Sequence, residues 1–394
     1  MERVIGGCIY AVQVGYCDAL FCSLSFCLFT LIMRIILFVG FLSGMFTGAA
    51  FSQAVINDID VQFQQAPWPV TIDGLSVAYY ELRVTNVSSD TVRLLKVTVL
   101  DSKMLLVSEG EELKGRTSAI TLAPRAVAIV YLEVSVKGGQ RLLHSVDYVS
   151  LHAGKEISHV YNHSAVDVTN SAPPVLGSPL GDGTWAAIYE PVWARGHRRV
   201  VFTIDGVDYL PGRFAIDFMR LDSAGHYASG NENVIANWYG YGNPVLAVAD
   251  GVVVGTRTDF VESPTLSGHP KYTSVDATGN YVAIDIGHDQ VVFCEHLKPG
   301  SIRVAPGQKV SKGDVIGAVG FTGQSTGPHL HLHVANRNAP LGAEGIPFVF
   351  ESFRLLGRYP DFGVFGKGPW EGITGAVGVV KERPGKNVVI GFGK

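Results

Sequence analysis

Three histidines at alternate positions close the run GFTGQSTGPHLHLHV, which contains His329, His331 and His333. Successive residues of a β-strand point to opposite faces of the sheet, so the three imidazoles share one face if this segment is a regular strand. Imidazole nitrogens bind zinc or transfer protons near neutral pH. A lone histidine is usually structural, whereas a pair at this spacing behind a glycine-rich turn indicates a metal or catalytic site.

The chain resembles a known family over most of residues 210–340. The run PGQKVSKGDVIGAVGFTGQSTGPHLHLHV at 306–334 resembles the closing hairpin and active-site strand of the lysostaphin-type (LytM-like) zinc metallopeptidases, which cut peptidoglycan cross-links. Two upstream segments, NPVLAVADGVVVG at 243–255 and NYVAIDIGHDQVVFCEHLKPGS at 280–301, fall in the order expected for the family. A chance match over three ordered segments is improbable.

The resemblance implies roles for four residues. In that family one zinc ion is held by a His and an Asp spaced His-x-x-x-Asp and by the second His of His-x-His, and two further histidines flank the metal-bound water. By position, Asp217 and His331 match zinc ligands, while His296 and His329 match the catalytic pair. A zinc ion with an open position lowers the pKa of a bound water to about 7 and polarises the scissile carbonyl. The two histidines would position the water and accept its proton.

The remaining ligand position of the family motif holds Arg213, in the segment GRFAIDF. A guanidinium stays protonated and has no lone pair to offer a metal, so it cannot replace an imidazole. Three other histidines can fill the gap: His197, His226 and His333. We favour His197, because it lies one strand before Arg213 and can return beside it in a hairpin.

Other polar side chains nearby have plainer interpretations. Asp222 is a further oxygen donor, but a solvated turn carboxylate is the more economical interpretation. Strand alternation places Cys294 on the same face as His296, although a single cysteine in an apolar run most often acts as a small buried hydrophobe. Glu295 would then face away from the site and serve as a surface charge.

The overall composition indicates a β-rich globular chain of more than one domain. Of 394 residues, 46 are glycine and 19 are proline, with 47% hydrophobic and 17% charged, which is typical of short strands joined by turns. The formal net charge is −4 and no dense run of Lys or Arg occurs. Nucleic acid is therefore not an expected partner.

The sequence of residues 1–54 predicts an upstream extension at 1–32, followed by a secretory signal peptide that begins at Met33. From Met33, the run MRIILFVGFLSGMFTGAAFSQA has a basic start, an apolar core and small residues before a cleavage point after Ala54. We expect translation to begin at Met33 and the protein to be exported to the periplasm or the cell exterior. An uncleaved anchor is the alternative, and either segment would be the only contact with a membrane. Only Cys294 follows Met33, so the mature chain would hold no internal disulfide.

Residues from 55 onward divide into four predicted parts of a mainly β chain. Short alternating apolar segments favour an antiparallel sandwich in the first part, and a stretch rich in Ser, Pro and Gly follows it. The low core potential of the last part predicts loose packing. The parts are an immunoglobulin-like β-sandwich at 55–165, a linker at 166–180, a small antiparallel β-barrel-like peptidase domain at 181–360 and a Gly-rich tail at 361–394.

Three functions are compatible with this sequence. The leading prediction is an endopeptidase, dependent on one Zn²⁺ ion, that cleaves peptide cross-links of peptidoglycan. The second is a non-catalytic relative that binds peptidoglycan or regulates a partner cell-wall hydrolase, and Arg213 favours it. The third is a carrier-type scaffold, because the Gly-x-x-Val-x-x-Gly hairpin also resembles lipoyl-type domains. That scaffold lacks a modifiable lysine at the hairpin tip and leaves His329 and His331 unexplained.

Overall fold

Alternating apolar and polar residues produce strands through most of the chain. The computed structural model describes residues 57–100, 105–194 and 196–393. The predicted signal segment, with its start at Met33, lies outside these ranges. The described residues form 25 strands and one α-helix, so the mainly β prediction is confirmed. Within these ranges, no helix has the length and apolar character needed to cross a membrane.

The N-terminal part is a sandwich of two antiparallel sheets. In the first sheet β3 pairs with β1, β2 and β7, and in the second the order is β5-β4-β8-β9 with β6 on β4. Both sheets face one core, and the immunoglobulin-like class of this sandwich remains a prediction. The elements are β1 Ile59–Phe63, β2 Pro69–Ile72, β3 Leu75–Asn86, β4 Thr91–Leu100, β5 Leu105–Glu109, α1 Gly110–Arg116, β6 Thr121–Leu122, β7 Val127–Ser135, β8 Arg141–His152 and β9 Lys155–Asp167.

The rest of the described chain contributes sixteen strands and five 3₁₀ helices. The strands are β10 Val175–Leu176, β11 Gly183–Ile188, β12 Phe202–Ile204, β13 Val207–Tyr209, β14 Ile216–Leu221, β15 Pro244–Leu246, β16 Gly251–Arg257, β17 Tyr281–Asp285, β18 Val291–Glu295, β19 Lys309–Val310, β20 Val315–Ala318, β21 Leu330–Ala335, β22 Gly345–Ile346, β23 Val349–Arg358, β24 Glu371–Glu382 and β25 Val388–Phe392. The 3₁₀ helices are His197–Arg199, Pro211–Phe214, Ile235–Asn237, Ser274–Asp276 and Phe362–Val364.

Most of these strands join one large open sheet. Its order is β10-β23-β25-β11-β14-β21-β18-β17-β16-β19, with β22 on β21 and β24 on β23. The outermost strands, β10 and β19, pair with different neighbours and not with each other. The barrel-like prediction is therefore wrong, because strands from the C-terminal part extend the sheet outward beyond β11.

The predicted tail at 361–394 contributes to the core of this sheet. β25 pairs with β11 on one side and with β23 on the other, and its five residues are all buried. The expectation of loose packing is wrong for β25, because its apolar residues VVIGF are buried between two strands, whereas most residues of β24 are exposed. Within the predicted linker, Leu176 and Leu180 are also buried in the main core.

Three central strands position the residues with predicted chemistry. The register places Asp217 of β14 opposite His331 of β21, and His331 opposite Glu295 of β18. On the other face of β21, Leu330 and Leu332 are fully buried in the main core. A register slip of one residue would exchange the two faces, so burial of the leucines fixes the row of polar residues.

Candidate active site

Asp217 is the residue on which several imidazoles converge. Its Oδ1 lies 2.9 Å from His331 Nδ1 and 3.3 Å from His329 Nε2, and its Oδ2 lies 3.2 Å from His197 Nε2. The candidate ligand atoms of His197, Asp217 and His331 lie within 4.8 Å of one another. Two imidazoles and one carboxylate at these separations fit a zinc ion with one position open.

His197 reaches this cluster from a turn outside the large sheet. It begins the 3₁₀ helix His197–Arg199, and the hairpin of β12 and β13 returns the chain to the second 3₁₀ helix, Pro211–Phe214. A Cβ atom at Gly212 would lie 3.0 Å from the His197 carbonyl oxygen, so glycine permits this close approach. The structure thus brings His197 beside Asp217, and its role as a ligand remains a prediction.

Arg213, at the position of the family ligand, contacts carboxylates instead of this cluster. Its Nε lies 2.7 Å from Glu81 Oε2, and its Nη2 lies 2.6 Å from Glu344 Oε2. Burial lowers the pKa of Arg213, but the two carboxylates outweigh burial and raise the pKa above its usual range. Arg213 is therefore a buried cation in an ion-pair network.

His296 and His329 form a pair beside the cluster, with ring centroids 4.7 Å apart. Both residues are buried. His296 Nδ1 lies 2.8 Å from the Thr322 carbonyl oxygen, and His329 Nδ1 lies 2.7 Å from the Gly327 carbonyl oxygen. Because a carbonyl only accepts hydrogen bonds, each Nδ1 carries a proton and donates it. The Nε2 atom of His296 is therefore left for chemistry, while Nε2 of His329 faces the Asp217 carboxylate.

The pKa shifts separate the two histidines of this pair. Burial lowers the pKa of His296 well below its usual range, and His329 and His331 add to that shift. Burial also lowers the pKa of His329, but the Asp217 carboxylate outweighs burial and raises it. Burial raises the pKa of Asp217, but the charges and hydrogen bonds of His197 and His329 outweigh burial. The pKa of Asp217 is therefore well below its usual range. At neutral pH the His296 ring is therefore uncharged and able to accept a proton.

Glu295 and His333 extend the polar cluster on the far side of His331. Glu295 Oε2 lies 4.0 Å from His331 Nε2, and Glu295 Oε1 lies 3.8 Å from His333 Nδ1. Within the described residues, Glu295 Oε1 and both ring nitrogens of His333 lack a hydrogen-bond partner. Burial raises the pKa of Glu295 well above its usual range, and the charge of Asp217 adds to the shift.

The predicted surface role of Glu295 is wrong, since the side chain is buried beside His331. Cys294 lies on the opposite face, in the main hydrophobic core. The alternation fails at His296, which follows the last residue of β18 and has a φ of 62°. A left-handed residue turns its side chain out of the strand pattern. The position of Glu295 directly before His296 was the one sequence signal that could have pointed to a place in the site.

A cleft of about 830 Å³ opens over these residues. Its walls include Tyr272, His269 and Leu341. A cleft of this size can hold a short peptide. His226 instead pairs with Asp222 at an exposed turn, with Nδ1 3.3 Å from Oδ2, and does not line the cleft.

Comparison with known proteins gives a match to peptidase family M23 at residues 235–342. That range includes His296, His329 and His331, while Asp217 precedes it. Peptidoglycan DD-endopeptidases ShyA and ShyB of Vibrio cholerae serotype O1 are 41% and 36% identical to this chain over 102 residues. Each match covers 26% of this chain and 20% of the relative, so the matched segment spans about a fifth of these relatives.

Solved structures of peptidases also match the chain. The catalytic domain of lysostaphin from Staphylococcus simulans has 21% sequence identity and a TM-score of 0.22, over 43% of this chain and 86% of that one. A zinc containing peptidase from Vibrio cholerae has 14% identity and a TM-score of 0.24, over 70% of this chain and 84% of that one.

Proposed function

We propose that this protein is a zinc-dependent endopeptidase that cleaves peptide cross-links of peptidoglycan, because residues 235–342 match peptidase family M23. The observation that carries the proposal is the convergence of His197, Asp217 and His331 beside the pair His296 and His329. ShyA and ShyB are peptidoglycan DD-endopeptidases by name, which supports this class of substrate.

One zinc ion would be held by His197, Asp217 and His331. When bound, zinc supplies a Lewis acid that polarises a carbonyl and acidifies water. The pKa of His331 is lowered by burial, so its ring is neutral and has a lone pair to offer a metal. The downward shift of the Asp217 pKa keeps its carboxylate charged. The donor set therefore suits zinc in both type and protonation.

The catalytic pair divides the proton transfers of peptide hydrolysis. His296 donates its Nδ1 proton to the Thr322 carbonyl, so its Nε2 lone pair can accept a proton from an attacking water. His329 has a raised pKa, and its Nε2 can hold a proton that stabilises the developing oxyanion. Both rings are buried and held by backbone carbonyls, which limits their reorganisation during the reaction.

The proposed substrate agrees with the predicted export of the protein. We retain the predicted start at Met33, cleavage after Ala54 and a periplasmic or extracellular location as proposals. The division into an immunoglobulin-like sandwich at 55–165 and a peptidase domain at 181–360 has the same status. A partner hydrolase remains part of the alternative function.

The non-catalytic alternative loses its main support in this geometry. It depended on Arg213 leaving the ligand set incomplete, and the 3.2 Å between His197 Nε2 and Asp217 Oδ2 supports His197 as the third ligand. The scaffold alternative would leave the convergence on Asp217 without a purpose.

Digestion of purified cross-linked peptidoglycan tests the proposal. The zinc-loaded protein should convert cross-linked dimers to monomers, a chelator should stop the reaction and added zinc should restore it. The matched control is His296→Ala, which should keep zinc and lose cleavage. A wild-type protein that binds zinc but leaves every cross-link intact would contradict the proposal and favour a binding or regulatory role.

A further inference from the structure

We propose that the N-terminal sandwich completes the candidate metal centre, with Glu81 of β3 as a positioning residue for His197. The inference rests on the proposed zinc site, and it concerns what holds the third ligand in place. It gives the sandwich a role in the chemistry of the large sheet.

The Glu81 carboxylate binds both turns that frame His197. Its Oε1 lies 3.1 Å from Nε of Arg198, the residue directly after His197. Its Oε2 lies 2.7 Å from Nε of Arg213, the residue directly after Gly212. Because Gly212 packs against His197, one carboxylate fixes the turn that carries the imidazole and the turn that supports it.

Further contacts tie the His197 turn to two paired strands of the first sandwich sheet, β3 and β7. Arg198 Nη2 donates to the carbonyl oxygens of Tyr80 in β3, at 3.0 Å, and Leu132 in β7, at 2.6 Å. The guanidinium of Arg198 also lies 4.9 Å from the ring centroid of Tyr79. Arg199 Nη2 donates to the Gly115 carbonyl oxygen of α1, at 2.6 Å.

This network is buried and its formal charges balance. The side chains of Glu81 and Arg213 are each 1% exposed, and that of Arg198 is 5% exposed. Glu344 supplies the second negative charge through Arg213. Removal of one partner from a buried network leaves an uncompensated charge, so the network strongly specifies its own geometry. It therefore restricts where the neighbouring His197 can lie.

A metal ligand needs this kind of support, because small displacements of a donor atom weaken a metal site. Asp217 and His331 are held by paired strands of the large sheet. His197 lies in a short 3₁₀ turn without strand pairing of its own, so contacts with the sandwich supply its restraint. Arg213 stands at the family ligand position. Its partner Glu81 also binds Arg198, the residue next to His197.

Zinc affinity of the full-length chain, measured by competition with a chromophoric chelator, tests the inference. Glu81→Gln should weaken zinc binding by about tenfold or more, the usual effect of losing an outer-shell partner. The matched control is Arg83→Gln, on the same strand. It removes a partly exposed ion pair to Asp208, with 2.6 Å between Arg83 Nη1 and Asp208 Oδ2, and should leave zinc affinity unchanged.

A second comparison separates positioning from a general loss of structure. If Glu81 acts through His197, Glu81→Gln should cause no further loss of zinc affinity in a His197→Ala background. Circular dichroism establishes that each variant is folded. If Glu81→Gln does not fold, Arg198→Met decides the question, because it keeps the pair of Glu81 with Arg213 and should also weaken zinc binding.

The outcomes distinguish this inference from the proposed function. A wild-type chain that binds no zinc contradicts the proposed function. A wild-type chain whose zinc depends on Asp217 and His331, together with a folded Glu81→Gln or Arg198→Met variant of unchanged zinc affinity, overturns the positioning role of Glu81 alone. Additive losses in the His197→Ala background overturn it as well.

Discussion

The sandwich and the large sheet both bury histidines, but in different surroundings. In the sandwich, His144 is 3% exposed, and its Nε2 and Nδ1 lie 2.7 Å from the Tyr80 hydroxyl and 3.3 Å from the Ser164 carbonyl oxygen. In the large sheet, His331 and its neighbours converge on one carboxylate beside a cleft. Burial of a histidine is therefore no sign of function, whereas several donors directed at one carboxylate are.

The largest expected effect comes from removing the residue on which the site converges. Asp217→Ala should abolish zinc binding and reduce peptidoglycan cleavage by about three orders of magnitude or more. Elemental analysis and chromatography of the digestion products measure the two effects. Asp222→Ala is the matched control, because Asp222 also pairs with a histidine but at an exposed turn. Equal losses in both variants would contradict the distinction between the two regions.

Removing the proton acceptor should separate binding from catalysis. His296→Ala should lower the cleavage rate by about a hundredfold or more, because a positioned general base is lost. Zinc content should stay at the wild-type value, since His296 is outside the ligand set. Loss of zinc from the folded variant would show that His296 is a ligand and that the assignment is wrong.

A smaller effect is expected from the far side of His331. Glu295→Leu removes the carboxyl group beside His331 Nε2 and should weaken zinc affinity by about tenfold. Glu295→Gln keeps an oxygen acceptor at the same place and should retain most of the affinity. If the two variants bind zinc equally well, Glu295 does not orient His331.

The smallest effect on zinc is expected from His144 in the sandwich, whose replacement should change acid stability instead. Burial lowers the pKa of His144 to about 4. As pH falls, the His144 ring is protonated in the unfolded chain before it is protonated in the folded chain. Stability is therefore lost as pH falls from the usual histidine pKa towards 4. The difference is worth about 3 kcal/mol in the free energy of unfolding. Urea unfolding across this window should show a smaller acid loss in His144→Leu than in wild type.

Zinc binding at neutral pH provides the second half of that test. His144→Leu should bind zinc as tightly as wild type, because His144 is satisfied by its own partners and lies outside the candidate site. An unchanged acid dependence of stability, or a loss of zinc in the folded variant, would contradict the structural role assigned to His144.

Local patterns in the sequence predict much of the site. Alternation along the strand places His329 and His331 on one face, and the hairpin before Arg213 allows His197 to return beside it. Alternation counted from His296 placed Glu295 on the wrong face of β18, because the left-handed backbone of His296 ends the alternation at that point. A glycine in the sequence would have indicated a positive φ, but a histidine gives no such indication.

Long-range pairing explains what local patterns could not predict. β25 lies between β11 and β23, and its pairing with β11 joins the last strand of the chain to a strand far earlier in sequence. The contact of Glu81 with Arg213 likewise joins distant segments. A short apolar run or a single acidic residue carries no information about such partners, so the open sheet and the ion-pair network appear only in the fold.

X-ray absorption at the zinc edge tests the central claim most directly, since it reports the number of histidine ligands. We expect one zinc per wild-type chain with two imidazole ligands, and a His197→Ala protein that either loses zinc or retains it with one imidazole. Two imidazoles around zinc in folded His197→Ala would contradict the account, because the third ligand would then come from another residue.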